Sequence, residues 1–365
     1  MKQKKGAIDM RSAPHSGMQI LVIKQTSLGD VLHASAFIRA VKKHMPDANI
    51  DVVVDKRAAP ILADNPYIRK LYIVDVYRWE REAFSSIAGL LRVIRDIVRS
   101  IRMVRAKRYD AAFDLQGLFR SVIFLYASRA RAKFAKGRWL GVPHLFYRDI
   151  HAVEGLLQFL SFIDVPDDGV ALDIFLPKDI RRRTERALAS HRMTLPRSYL
   201  VYAPYSRWQT KDMPMEKSDE LLDALAKKFH LPILVCATAD YADACRTLAS
   251  RHARVMPLAG VLSLTELNYV LSQAKGMISV DSYPMHAAAA FDIPLVAVFG
   301  PTSEKRIGPR SRRSAVIRAE GIDCARCYKR RCPKAHECMM TIDAAHAVNV
   351  LAKCVRLPRA RPQRK

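Results

Sequence analysis

From position 19 onward, short runs of β-branched and other apolar residues alternate with longer stretches in which apolar positions recur every three or four residues. That alternation of periods predicts βαβ units and a parallel sheet. In the first half the pattern predicts strands over residues 20–24, 50–54, 71–74 and 111–115, with helices beginning at Val31, Ala58, Phe84 and Leu118. It then breaks down: residues 131–196 carry prolines, an acidic turn at 164–169 and a charged stretch at 178–192 that predicts a helix leading into a linker. The pattern restarts with strands over residues 199–203, 233–236, 277–280 and 295–299. The prediction is an α/β fold of two doubly wound, Rossmann-like domains facing a central cleft, where the carboxyl ends of open α/β sheets bind ligands. The expected boundaries are a disordered basic tail at 1–17, domains at 18–180 and 181–341, a helix at 342–355 and a second basic tail at 356–365.

Length agrees with two cores, because 365 residues exceed what a single core usually spans. Charge adds a constraint that the pattern does not: the formal net charge is +26, enough to attract polyanions such as a phosphorylated glycan, anionic lipid or nucleic acid. Nucleic acid is the weakest of these, since no RNP-like aromatic strand, zinc finger or helix-turn-helix accompanies the basic residues. No apolar stretch reaches the roughly 18 to 20 residues needed to span a bilayer, so any membrane role is peripheral. The first residues lack the apolar core of a secretory signal, and seven cysteines without one point to the reducing cytoplasm.

Three segments placed just after strands carry the candidate chemistry. In Ser27-Leu28-Gly29-Asp30-Val31, a small polar loop enters a helix; Asp30 either caps that helix or acts as a carboxylate base toward an acceptor hydroxyl. No G-x-G-x-x-G follows the strand, so a nicotinamide or flavin site has little support, and no cofactor is expected. In Trp208-Gln209-Thr210-Lys211-Asp212-Met213-Pro214, Lys211 is either a solvated lysine or a point charge for a diphosphate. In Asp281-Ser282-Tyr283-Pro284-Met285-His286, Pro284 opens a helix whose N-terminal dipole suits a pyrophosphate; the same pattern also describes a capped core helix with His286 satisfied internally.

Together with Phe299-Gly300-Pro301-Thr302, these segments make the chain resemble the ADP-heptose:lipopolysaccharide heptosyltransferases, glycosyltransferase family 9, from about Met18 to Cys354. The resemblance implies a GT-B fold and an inverting, metal-independent transfer of heptose from ADP-heptose to an anionic lipopolysaccharide-core acceptor. Carried over by position, Asp30 would be the base, Lys211 would meet the phosphates, and Asp281, Ser282 and His286 would form the donor pocket. Leu262 would meet adenine, and Asp240 the ribose. Two departures stand out. The family's glycine is Tyr283 here, removing the close backbone approach that glycine permits, and its Trp-Pro is Met213-Pro214. A catalytically silent nucleotide-binding paralogue and a heptosyltransferase with a protein acceptor remain open alternatives.

Three further features lie outside those motifs. Cys324, Cys327, Cys332 and Cys338, with His336 nearby, have partial metal-ligand character, but the second pair is too widely spaced for paired knuckles; a structural loop is the other reading, and no metal is assigned. Arg92, Arg95, Arg99, Arg102 and Arg105 form a basic helix face opposite an expected packing stripe of Leu91, Ile94, Val98, Ile101 and Val104. With a second basic run at 306–331, this face is a candidate for peripheral contact with the inner-membrane surface. Arg120, after Asp114-Leu115-Gln116-Gly117, is either a surface arginine or a contact for the acceptor.

Overall fold

The computed structural model describes residues 17–147 and 149–358, and the chain divides into two compact units after Phe175. The tails expected at 1–17 and 356–365 lie outside the described residues, apart from Gly17 and residues 356–358.

The first unit runs β1 (Gln19–Ile23), α1 (Leu28–His44), β2 (Asn49–Asp55), α2 (Ala59–Leu62), β3 (Ile68–Val74), α3 (Val76–Glu82), α4 (Ile87–Arg105), β4 (Arg108–Asp114), α5 (Phe119–Ala127), β5 (Arg129–Lys136), β6 (His144–Leu145) and α6 (Ala152–Leu157). Its strands form one parallel sheet in the order β3-β2-β1-β4-β5-β6. Residues 20–23 and 52–54 are fully buried, as strands covered by helices on both faces must be.

The second unit begins with α7 (Ile180–Ser190), then β7 (Leu200–Ala203), α8 (Met215–Phe229), β8 (Ile233–Val235), α9 (Ala242–Arg251), β9 (Val255–Pro257) and α10 (Leu264–Gln273). It continues with β10 (Gly276–Val280), α11 (Tyr283–Ala290), β11 (Leu295–Val298), α12 (Glu304–Ile307), β12 (Ser314–Ile317), α13 (Glu337–Met340) and α14 (Ala344–Arg356). Its parallel sheet has the order β12-β11-β10-β7-β8-β9, so each unit's first strand lies between its second and fourth. In both, the strand order therefore reverses between first and fourth strands, the place where such sheets bind ligands. The charged segment expected to lead into a linker is α7, which packs on α10 within this unit.

Two local expectations need correction. Four outer strands, β5, β6, β9 and β12, escape the pattern; β5 reads Arg-Ala-Arg-Ala-Lys-Phe-Ala-Lys and buries Ala132, Phe134 and Ala135 but no β-branched residue. The packing face of α4 is also different. Gly89, Val93, Ser100 and Val104 are buried and Ile101 half-buried, whereas Leu91, Ile94 and Val98 are exposed. The helix carries two apolar stripes, and the one containing Val93 and Val104 is the one that packs. Among the described residues, no helix is long and apolar enough to cross a membrane.

Candidate active site

In the first unit, the loop between β1 and α1 is built as a helix start. Ser27 is the N-cap, and Asp30, three residues on, accepts hydrogen bonds from the Ser27 backbone N–H (3.3 Å) and Oγ (2.9 Å). Asp30 therefore serves the helix start from its third position, the reciprocal half of a capping box, rather than as the cap itself. Burial pushes its pKa up, but the charges of Lys24 and His33 and the Ser27 hydrogen bonds outweigh that and hold the carboxyl well below the usual range. It is an anion at any physiological pH, half-buried at the carboxyl end of the sheet.

Beneath that loop, Lys24 is buried and donates from Nζ to the Leu115 carbonyl (3.2 Å), linking the ends of β1 and β4. Asp114, fully buried at the end of β4, accepts from the Gln116 and Gly117 backbone N–H groups (3.0 and 3.2 Å) and from Ser121 Oγ (3.0 Å). Burial is the main cause that raises its pKa to about 6, against those hydrogen bonds and the Lys24 charge. Gly117 has φ +75°, and a Cβ there would stand 2.6 Å from the Lys136 carbonyl oxygen, so this turn requires glycine. Arg120 reaches back from α5, donating to Thr26 Oγ1 (2.9 Å) and to Glu80 Oε1 (2.8 Å). Thr26 N–H donates to Gln116 Oε1 (3.1 Å), which closes the stitching of the two loops.

In the second unit the candidate donor residues line the carboxyl edge of the sheet. Asp281, buried just after β10, accepts on Oδ2 from both Lys211 Nζ and Thr302 Oγ1, each at 2.7 Å. Lys211 follows β7 and also lies over the Trp208 ring, 4.6 Å from its centroid, with Arg330 5.4 Å from the same centroid. Ser282 is the N-cap of α11 but makes no side-chain cap hydrogen bond. Pro284, the second residue of the helix, has no N–H, and the Met285 N–H donates to the Ser282 carbonyl (3.2 Å). His286 is buried within α11. Asp240 is exposed on a 3-10 turn after β8, and Leu262 is half-buried between β9 and α10; neither shares the Lys211–Asp281 contact.

The two family departures resolve differently from what their side chains implied. Tyr283 is turned inward, buried, and donates its hydroxyl to Asn268 Oδ1 (2.9 Å) on α10. Met213 is buried in the core, and its N–H donates to the Pro204 carbonyl (2.8 Å).

The cysteine segment packs beside the Lys211 loop: Thr210 Oγ1 donates to the Lys329 carbonyl (2.7 Å), and His336 Nε2 contacts the Thr210 carbonyl (2.7 Å). Cys324, Cys327, Cys332 and Cys338 line a small pocket there and are free thiols. Among the described residues, no three His, Cys, Asp or Glu side chains are grouped so as to hold a metal.

Lys24, Asp114, Trp208 and Thr302 were not singled out from sequence. The Asp-x-x-Gly signature at the end of β4 could have pointed to Asp114, and Trp208 and Thr302 stand inside the quoted segments without having been given a role; nothing local marks Lys24.

A pair of doubly wound α/β units is the architecture of the GT-B type. The family model for glycosyltransferase family 9 (heptosyltransferase) matches residues 97–337, and the chain belongs to that family. It is 28% identical over 330 residues to lipopolysaccharide heptosyltransferase 1 of Pseudomonas aeruginosa, covering 86% of this chain and 87% of the relative. The structure of E. coli ADP-heptose lps heptosyltransferase II superposes with a TM-score of 0.73 at 19% identity, covering 93% of this chain and 98% of that one. E. coli heptosyltransferase WaaC with ADP gives 0.69 at 25% identity, covering 83% and 94%.

Proposed function

We propose that this glycosyltransferase moves a heptose from ADP-heptose to the inner core of lipopolysaccharide, inverting the anomeric centre and using no metal. The observation that carries the reading is the Lys211–Asp281–Thr302 cluster beside the start of α11. It offers a fixed cation and the positive end of the α11 dipole to a diphosphate, the two elements that a metal-free pocket needs. ADP in the WaaC structure supports the choice of donor.

In this mechanism the acceptor hydroxyl oxygen bonds to the anomeric carbon as the bond from that carbon to the ADP oxygen breaks. The hydroxyl proton passes to the Asp30 carboxylate, and the charge developing on ADP is met by Lys211 and the positive end of the α11 dipole. Ser282 and His286 would complete the donor pocket, with Leu262 against adenine and Asp240 at the ribose. Arg120 would orient the anionic acceptor, since it is already tied to the loop that carries Asp30.

The acceptor is an anionic glycolipid, so the chain works in the cytoplasm as a peripheral protein on the inner face of the inner membrane; the +26 charge supports this. The test is mass analysis of the host's lipopolysaccharide with and without the gene, together with transfer from ADP-heptose in EDTA. A core that keeps every heptose, or transfer abolished by EDTA, defeats the reading.

A further inference from the structure

We infer that the α3–α4 region is a membrane-insertion surface: an apolar stripe that enters an anionic bilayer, flanked by an arginine stripe that holds its headgroups. The inference rests on the reading of the chain as a peripheral membrane protein, and replaces a purely electrostatic contact by one with an apolar component.

The stripe consists of side chains that a helix packed only against its own domain would not leave in water. Phe84, in the turn before α4, is 93% exposed; Ile87 is 81%, Leu91 61%, Ile94 47% and Val98 39% exposed. At 100° per residue, Ile87, Leu91, Ile94 and Val98 fall within an arc of about 60° on α4. Val93, Ser100 and Val104, the buried side, lie on the opposite part of the wheel. Arg95, Arg99 and Arg102 occupy the sector next to the exposed apolar one. Arg92 pairs with Glu82 and Arg78 with Asp96, but among the described residues no carboxylate pairs with Arg95, Arg99, Arg102 or Arg105.

An apolar face beside unpaired arginines is how an interfacial helix is built: the apolar side chains sit at the acyl boundary and the guanidinium groups reach phosphate. Charge also selects among occupants. In a symmetric pairing of two copies, each arginine stripe would approach its own image, and the whole chain carries +26. An anionic lipid surface complements both.

The experiment uses the full chain and vesicles of equimolar phosphatidylglycerol and phosphatidylcholine, with no acceptor sugar. Leu91→Trp should show a blue-shifted emission on these vesicles, relative to the native tryptophans, and quenching by lipids brominated on the acyl chain. Ile87→Ser/Leu91→Ser/Ile94→Ser should partition at least about tenfold more weakly in both low and high salt. Arg95→Gln/Arg99→Gln/Arg102→Gln should lose on the order of a hundredfold at low salt and flatten the salt dependence. Retained ADP binding and thermal transition show that each variant is folded, and the Leu91→Trp readout stands alone if the serine variant is not. An unshifted Leu91→Trp emission, serine-variant partitioning equal to the parent, or a dimer in sedimentation that the serine substitutions dissociate would each overturn the proposal. Because the vesicles carry no acceptor, these readouts do not depend on heptose transfer. Failure of the transferase reading would show instead as no transfer by the parent to a lipid-free acceptor fragment.

Discussion

The two units share a strand order and a switch point, yet the charges at those switch points are arranged with opposite polarity. In the first, Lys24 is buried under the sheet ends near the buried Asp114, and the half-buried group of that loop is the carboxylate of Asp30. In the second, the carboxylate of Asp281 is buried and the more accessible partner is the Lys211 ammonium. A repeated fold thus presents a fixed anion at one switch point and a cation at the other. Their surfaces differ as well. Exposed large apolar side chains concentrate in the first unit, whereas the second contributes Val316, Tyr328, Met340 and Leu357. Topology decides where a site can form, and the side chains placed there decide its charge.

The sharpest way to break this comparison is to remove one charge from each unit and look for separable defects. Asp30→Ala should lower turnover by about 100- to 10,000-fold, the range of general-base loss, while calorimetric ADP affinity stays at the parent value. A folded variant with near-normal turnover would take Asp30 out of the mechanism. Lys211→Ala should act in reverse, weakening ADP binding in EDTA by roughly 10- to 100-fold, because a charged partner is lost and Asp281 is left buried without its cation. Unchanged ADP affinity would reduce Lys211 to a structural ion pair.

The inner strands were legible because a parallel sheet covered on both faces demands unbroken apolar runs, as in residues 20–23 and 295–298. The edges were not: β9 is Val-Met-Pro and β6 is two residues long, too short for any periodicity. Asp30, Lys211 and Asp281 drew notice in the sequence because each follows closely on a strand, Asp30 in the first turn of α1 and the other two ahead of a helix. The Lys211–Asp281 pair itself was not, since it joins loops 70 residues apart. The exposure of Leu91, Ile94 and Val98 was misjudged for a related reason. A helix with two apolar stripes does not announce which one faces the sheet.

Asp114 sharpens the comparison on the stability side. Its pKa rises from 3.8 to about 6 on folding, so between those values the native state binds more protons than the unfolded one. Stability of the first unit should therefore fall as pH rises from about 4 to about 6 and level off above, by an amount on the order of 2–3 kcal/mol. Asp30 works in the opposite sense but below this window, because its pKa is depressed. Thermal melts between pH 4.5 and 7 should show this slope in the parent and its loss in Asp114→Asn; parallel curves would mean that Asp114 is ionised throughout.

A smaller effect is expected at Arg120, whose guanidinium links Thr26 to Glu80 beside the Asp30 loop. Arg120→Ala should raise the acceptor KM on the order of tenfold while leaving the donor KM within about twofold. Equal changes in both would indicate a collapsed loop rather than a lost acceptor contact.

The smallest expected effect concerns the second unit's departure from its family. Tyr283 stands where the family resemblance implies a glycine, and under the proposed reading a side chain pointing outward there would crowd the donor. It points inward instead, and its hydroxyl meets Asn268, whose Nδ2 has no hydrogen-bond partner among the described residues. Tyr283→Phe leaves the ring in place and removes a single buried hydrogen bond, at a cost of about 1 kcal/mol, so the second unit should melt a few degrees lower. ADP affinity and turnover should both stay within about twofold of the parent, because nothing on the outer side of α11 has changed. A loss of ADP affinity beyond about tenfold in a folded Tyr283→Phe protein would mean that the Asn268 contact sets the position of the α11 N-terminus. The second unit would then hold its donor by a device that a glycine-containing relative does not need.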